Sequence, residues 1–367
     1  MRDLLDDVFN NFLQTKAQLM GRANVIRSPD QIAVLETIPS LIQQHLTSRG
    51  KAHLYKIKGS IGNGNIARVP WIGIFRTSIT NNAENGYYIV LLFSEDMSSC
   101  FLSLNQGITA IQKMYTKPFA LRKMREVASA ALKYLEVHPE SLQGKIDLKS
   151  TGDLGRGYEA AAIESFKYYA DNLPQNLDFF KDLDFLLSEY SLLENMFKED
   201  LYSLLEVSEE EFQQVVLEKA ASLVPEILDE LEPPGGVALG SESVLGTKGY
   251  VRSPLVAATA LRKANFLCEI DQEHWTFISK AKKQKYVEAH HLIPISHQNK
   301  FEFSLDVAAN IISLCATCHR MLHFGLPEEK RALLKSLLHR RKNGLEARSI
   351  SVKENAFLLF YGKSEVI

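Results

Sequence analysis

Val287-Glu288-Ala289-His290-His291-Leu292-Ile293-Pro294, then Asn310-Ile311-Ile312-Ser313-Leu314, then Cys315-Ala316-Thr317-Cys318-His319-Arg320-Met321-Leu322-His323, is the stretch on which the reading of this chain turns. The first piece reads as a strand, and neighbouring side chains on a strand point to opposite faces. His290 and His291 are therefore free to take different tasks, one holding a metal while the other faces water. His319 follows a Cys-x-x-Cys knuckle and should start a helix, with His323 one turn further on the same face. Histidine binds metals as neutral imidazole and exchanges protons near neutral pH. Cys315-Ala316-Thr317-Cys318-His319 is also, literally, a covalent haem attachment signature. That reading is set aside, because such attachment normally needs export and leaves His290, His291 and Asn310 without a role.

Working outward, 367 residues suit two or three domains. The composition, 46% hydrophobic and 23% charged, is that of a soluble globular protein. No apolar run approaches the ~18 residues that a membrane span needs. The first twenty residues are acidic and amphipathic, without the basic start and apolar centre of a signal peptide. A cytoplasmic location is expected, so Cys100, Cys268, Cys315 and Cys318 favour a metal site over disulfides. The net charge of −2 conceals a segregation along the chain. Residues 1–170 carry 20 Lys/Arg against 15 Asp/Glu, residues 171–232 carry 3 against 17, and residues 249–345 carry 15 against 8. The last segment also holds seven of the ten histidines. Two basic ends around an acidic middle suit two DNA-contacting domains on an acidic spacer.

Apolar spacing predicts a helix over residues 2–20, and Ser28-Pro29 opens another towards Leu46, bent near Pro39. Residues 52–104 read as β, with Val69–Phe75, Tyr87–Phe93 and Cys100–Leu104 separated by Gly/Asn turn clusters. Helix returns from Ile108 to Leu135, broken near Pro118. Residues 158–170 are ambiguous between helix and strand. Residues 176–231 are acidic and helical. A linker begins at Pro233-Pro234-Gly235-Gly236 and runs to about Lys248. Ser253-Pro254 then caps a helix through Ala264.

The joint pattern of His-His with a nearby Pro, Asn-Ile-x-x-Leu, Cys-x-x-Cys-His and a final His resembles the HNH, or ββα-metal, nuclease family, in particular its zinc-containing branch. The resemblance covers about residues 253–345. It implies phosphodiester hydrolysis, in which a base activates water and a divalent metal such as Mg²⁺ stabilises charge on the phosphate and leaving oxygen. Carried over by position, His291 is the general base, His290 and His319 hold the catalytic metal, Asn310 steadies the bent loop, and His323 meets metal or phosphate. Cys315 and Cys318 form half of a structural Zn²⁺ site, which needs four ligands. The chain departs from the family's second Cys-x-x-Cys: Cys268 supplies one ligand, and either His274 or Asp271 completes the set.

A second resemblance covers residues 60–107 most clearly. Ser60-Ile61-Gly62-Asn63-Gly64-Asn65-Ile66-Ala67-Arg68-Val69-Pro70-Trp71-Ile72-Gly73-Ile74-Phe75 is similar to the N-terminal DNA-binding domain of McrB-type modification-dependent restriction proteins. The family reads methylated cytosine by flipping the base into a pocket, which calls for aromatic faces and polar groups. Trp71 and Tyr88 match aromatic pocket positions, with Tyr158 as a third and Asn63 as a polar wall. Arg68, Arg76, Lys56 and Lys58 are candidates for phosphates. Unlike McrB, the chain has no Gly-x-x-x-x-Gly-Lys-Ser/Thr motif, so no nucleotide is expected.

The expected architecture is α+β: an N-terminal mixed α/β DNA-recognition domain (residues 1–175), an acidic helical spacer and linker (176–248), and a C-terminal ββα-metal HNH nuclease domain with a zinc knuckle (249–367). The expected function is a DNA endonuclease that restricts foreign double-stranded DNA carrying modified cytosine, an antiphage defence, working as a homodimer. A sequence-specific restriction enzyme with a partner methyltransferase, and a non-cutting DNA-binding regulator, are the alternatives.

Overall fold

The computed structural model describes residues 1–198, 201–205, 207–224, 228, 235–237, 244–245, 249–250, 252–279 and 283–361. Contacts divide the chain into two units, Met1–Lys113 with Lys117–Leu205, and Met114–Thr116 with Glu206–Ile367. No described helix is long and apolar enough to cross a membrane.

The first unit is built on a six-stranded sheet of order β1-β2-β3-β4-β6-β5, antiparallel at every pairing. Its strands are β1 (Tyr55–Asn63), β2 (Asn65–Arg76), β3 (Tyr87–Phe93), β4 (Ser99–Gln106), β5 (Leu142–Gln143) and β6 (Ala162–Tyr169). β1 and β2 meet in a tight hairpin at Asn63-Gly64-Asn65. Gly62 there has φ +117°, and a side chain would fall on Asn65 O, so only glycine fits. Every residue of β3 and β4 is buried, the mark of strands covered on both faces.

Helix α1 (Arg2–Gln18) turns Leu5, Val8, Phe9 and Phe12 inward, with Phe9 edge-on to Phe93 of β3. The helix expected from Ser28 to Leu46 is α2 (Pro29–Ile32), a π-helical turn over Ala33–Thr37, and α3 (Ile38–Ser48). Pro39 cannot donate an amide, so the widened turn lies just ahead of it. α4 (Thr109–Met114) and α5 (Lys117–Ala131) follow β4. The ambiguous 158–170 segment is both things: α6 (Asp153–Ala161) runs directly into β6.

Helix α7 (Asn176–Phe197), read in the sequence as spacer, belongs to the first unit. Its Tyr190 hydroxyl donates to Tyr87 O at 2.6 Å and accepts from Arg76 N at 3.1 Å, and Tyr168 of β6 donates to its Asp182 at 2.7 Å. Phe179, Leu183, Leu186, Leu187 and Leu193 form a buried stripe, and acidic residues are bonded into the unit: Glu189 is buried and accepts from Glu136 N, and Glu194 pairs with Arg76.

The other acidic helix, α8 (Glu209–Ser222), belongs to the second unit. Phe212, Val216, Leu217 and Ala220 pack with Ala257, Leu261, Val287 and Ile311. α7 and α8, both within the range read as a spacer, thus dock in different units. Much of the linker expected from Pro233 lies outside the described residues. Two short strands in that range, β7 (Val244–Leu245) and β8 (Gly249–Tyr250), pair with each other.

In the second unit α9 (Pro254–Lys263) is capped by Ser253, whose hydroxyl accepts from Val256 N. β9 (Glu288–His291) and β10 (Ile311–Leu314) form an antiparallel ribbon that pairs His290 with Ile312 and His291 with Ile311. α10 (Ala316–Phe324) follows β10 directly. α11 (Pro327–Glu346) and α12 (Glu354–Leu359) close a core of Leu292, Ile293, Leu305, Leu314, Leu322, Leu334, Leu337 and Phe357.

Candidate metal centre

β9 and α10 bring His290, His319 and His323 together, with one ring nitrogen of each within 4.8 Å of the others. His319 Nε2 and His323 Nε2 are 3.2 Å apart, as one helical turn on one face dictates. His290 and His319 are buried and His323 is exposed, so the cluster opens on one side. Burial, aided by the neighbouring histidines, holds the His290 pKa well below its ordinary value, and burial also lowers His323. Neutral imidazole is the form that binds a metal.

Two buried partners orient the rings. His319 Nδ1 donates to Glu288 Oε2 at 2.5 Å, which leaves the Nε2 lone pair facing the cluster. Burial would raise the Glu288 pKa, but the bonds from His319 and from Tyr286 (2.8 Å) hold it below the usual carboxylate value. Tyr361 donates its hydroxyl proton to Leu292 O at 2.7 Å and so faces His290 Nε2, 3.1 Å away, as an acceptor. His290 therefore carries its proton on Nε2 and offers Nδ1. Such outer partners fix the tautomers of metal-binding histidines. The donor set fits a divalent ion with open positions.

His291 points to the other face of β9, and its Nε2 lies 2.9 Å from Asp306 Oδ1. The second Asp306 oxygen accepts from Ser253 N at 2.6 Å. Asn310 is fully buried and ties the intervening loop, accepting from Ile293 N (2.8 Å) and donating to Ile293 O (3.0 Å) and Leu305 O (2.9 Å).

A second donor set comprises Cys268, His274, Cys315 and Cys318. His274 Nδ1 lies 3.3 Å from Cys318 Sγ and 3.7 Å from Cys315 Sγ. Asp271 stands outside this set, its Oδ2 3.7 Å from His274 Nε2. At Cys268 burial opposes ionisation, but the amides of Asp271, Cys315 and Ile270 together with His274 outweigh it and bring the thiol to about 7. Three sulfurs and an imidazole suit tetrahedral zinc.

The candidate base-contacting residues all lie in the first unit, on β1, β2, β3 and α6. Trp71 on β2 is half-buried, edge-on to Phe75. Tyr88 on β3 is fully buried, donates to Ala83 O at 3.1 Å and packs on Phe75 as part of the core. Tyr158 on α6 is half-buried, and burial raises its phenol pKa. Asn63 is exposed at the β1–β2 hairpin. Arg68 is exposed but bonded to Glu95 (3.0 Å) and Thr151.

Sequence reasoning missed Glu288, Asp306 and Tyr361. Glu288 carries a signal, being two positions from His290 on the same strand face. Tyr361 carries none, lying 71 residues from its partner.

Comparison with known proteins places residues 9–195 in the MrcB-like, N-terminal domain family and residues 278–325 in the HNH endonuclease family. The type IV methyl-directed restriction enzyme EcoKMcrA of Escherichia coli (strain K12) is 35% identical over 78 residues, 21% of this chain. The match spans about a quarter (26%) of that relative's length.

Proposed function

We propose that this chain, which belongs to the MrcB-like N-terminal domain family and carries an HNH endonuclease domain, restricts foreign double-stranded DNA by recognising modified cytosine in its first unit and cutting with its second. The observation that carries the reading is the cluster of His290, His319 and His323, with ring nitrogens within 4.8 Å and His291 on the opposite face of the same strand. The methyl-directed character of EcoKMcrA supports the substrate class.

His290, His319 and His323 would hold a divalent ion such as Mg²⁺, which would supply charge stabilisation for the phosphate and leaving oxygen. His291 is the general base. Its bond to Asp306 orients the ring and leaves the Nδ1 lone pair to take a proton from water. Asn310 holds the loop that carries Asp306. Cys268, His274, Cys315 and Cys318 would hold structural zinc and tie the loop after α9 to the junction of β10 and α10. Trp71 offers an aromatic face to the base, Asn63 and Tyr158 add polar groups, and Arg68 meets phosphate. Cutting both strands takes two centres, which two copies of the chain supply.

The test is digestion of matched plasmids with and without cytosine modification. Only the modified plasmid is cut, only with added divalent metal, and His291→Ala cuts it ~100-fold more slowly or worse at unchanged melting temperature. Equal cutting of both plasmids removes the modified-base reading. Cutting by His291→Ala at the parental rate removes the base assignment.

A further inference from the structure

The segment between His274 and β9 supplies no ligand to either metal group. It reads Trp275-Thr276-Phe277-Ile278-Ser279-Lys280-Ala281-Lys282-Lys283-Gln284-Lys285-Tyr286-Val287, with four lysines and no acidic residue. Its arms pair as a hairpin: Ile278 bridges Lys285, Ser279 N donates to Gln284 O at 2.7 Å, and Tyr286 N donates to Phe277 O at 2.8 Å. Trp275 is 83% exposed, Ile278 59% and Phe277 47%, and Lys283 and Lys285 are exposed as well.

An exposed apolar cluster of this kind marks a binding surface. Exposed Lys283 and Lys285 beside it select a polyanion as the occupant. The hairpin is also tied to the metal centre. Phe277 stacks on Tyr286, ring centroids 4.6 Å apart, Tyr286 donates to Glu288, and Glu288 accepts from His319. Whatever the hairpin grips is therefore held next to the strand that carries the cluster.

We propose that this hairpin is a DNA grip. Lys283 and Lys285 meet the phosphates, and Trp275 packs as an apolar wedge into the groove beside the cut site. The proposal rests on the nuclease reading of the second unit. It assigns part of the affinity to that unit, independently of any base modification.

The test uses the full zinc-containing chain without added Mg²⁺ and labelled duplexes, modified and unmodified, followed by fluorescence anisotropy. Trp275→Ala weakens both duplexes alike by about tenfold, by analogy with aromatic contacts to bases. Trp275→Phe keeps most of the affinity, and neither variant moves the melting temperature. Lys283→Ala with Lys285→Ala lowers the salt dependence by about two phosphate contacts. The chain has two tryptophans, so in Trp71→Phe the emission reports Trp275 alone and shifts when unmodified duplex is added. Parental affinity of Trp275→Ala for both duplexes overturns the proposal. So does a variant that changes only the mass in solution, which makes the hairpin a contact between copies. Loss of preference for the modified duplex in the parent would instead concern the first unit, and tight binding without cutting would concern the histidine cluster.

Discussion

Tyr361 shows how much one hydroxyl decides. It accepts from His290 Nε2 and donates to Leu292 O, so the ring of His290 has one tautomer open to it. Tyr361→Phe keeps the ring that packs against Phe357 and removes the acceptor. Mn²⁺ affinity by calorimetry is expected to fall ~10-fold to 100-fold, the usual cost of losing an outer-shell partner, at nearly unchanged melting temperature. Glu288 allows a matched check. Glu288→Gln keeps an acceptor for His319 Nδ1 and should lose less affinity than Glu288→Ala. Parental affinity in Tyr361→Phe and Glu288→Ala would mean that the rings are held by other contacts. Trp71 and Tyr88 differ at the same scale. Alternation told that both lie on a strand, but β3 is covered on both faces, so the period does not say which side chain reaches water.

At the level of elements, β9, β10 and α10 make a short ribbon and helix whose own contacts are few. Four residues of each strand pair, and α10 has nine residues. Strands and helices this short need outside support. Cys315 and Cys318 sit at the junction of β10 and α10, and Cys268 and His274 reach them from the loop after α9. A zinc ion held there ties three elements at one point. Cys318→Ser, or removal of zinc by a strong chelator, is expected to abolish the thermal transition of the second unit and leave that of the first unchanged, because structural zinc supplies folding free energy directly. Calorimetry resolves the two. A second unit that melts as before without zinc would show the cysteines to be ordinary core residues. α7 and α8 carry the lesson of composition against pattern. Their acidic content suggested a solvated spacer, yet a helix needs only one apolar stripe to dock.

Over the whole molecule the two units respond differently to mild acid, above the range in which the lowered carboxylates of the first unit, Glu95, Asp96, Asp147 and Asp153, take up protons. In the second unit, folding lowers the pKa of His290 and His323 below about 6.5. The unfolded chain therefore takes up protons first, and stability falls as pH drops below ~6.5. In the first unit burial raises Glu159, Asp182 and Glu189. There the native state takes up protons first, so mild acid relieves an unfavourable burial. Scanning calorimetry without added divalent metal is expected to show the second transition falling between pH 7 and pH 5 while the first holds or rises. A parallel fall of both would contradict these shifts.

The nuclease motif was determined by the sequence alone, because its parts are local. A strand separates His290 from His291 by face, and a helical turn aligns His319 with His323, whatever the rest of the chain does. β2, β3 and β4 of the first unit were legible for the same reason, through alternation and glycine turns, whereas β6 was ambiguous and β5 went unread. Tertiary structure alone decided which residues complete these patterns. Asp306 and Tyr361 meet their histidines across 15 and 71 residues, and His274 takes the fourth place beside the three cysteines while Asp271 stays outside it. Tyr88 became core, and the acidic segment split between two units. Each of these depends on which surfaces pack together, and packing joins residues that neither spacing nor composition relates.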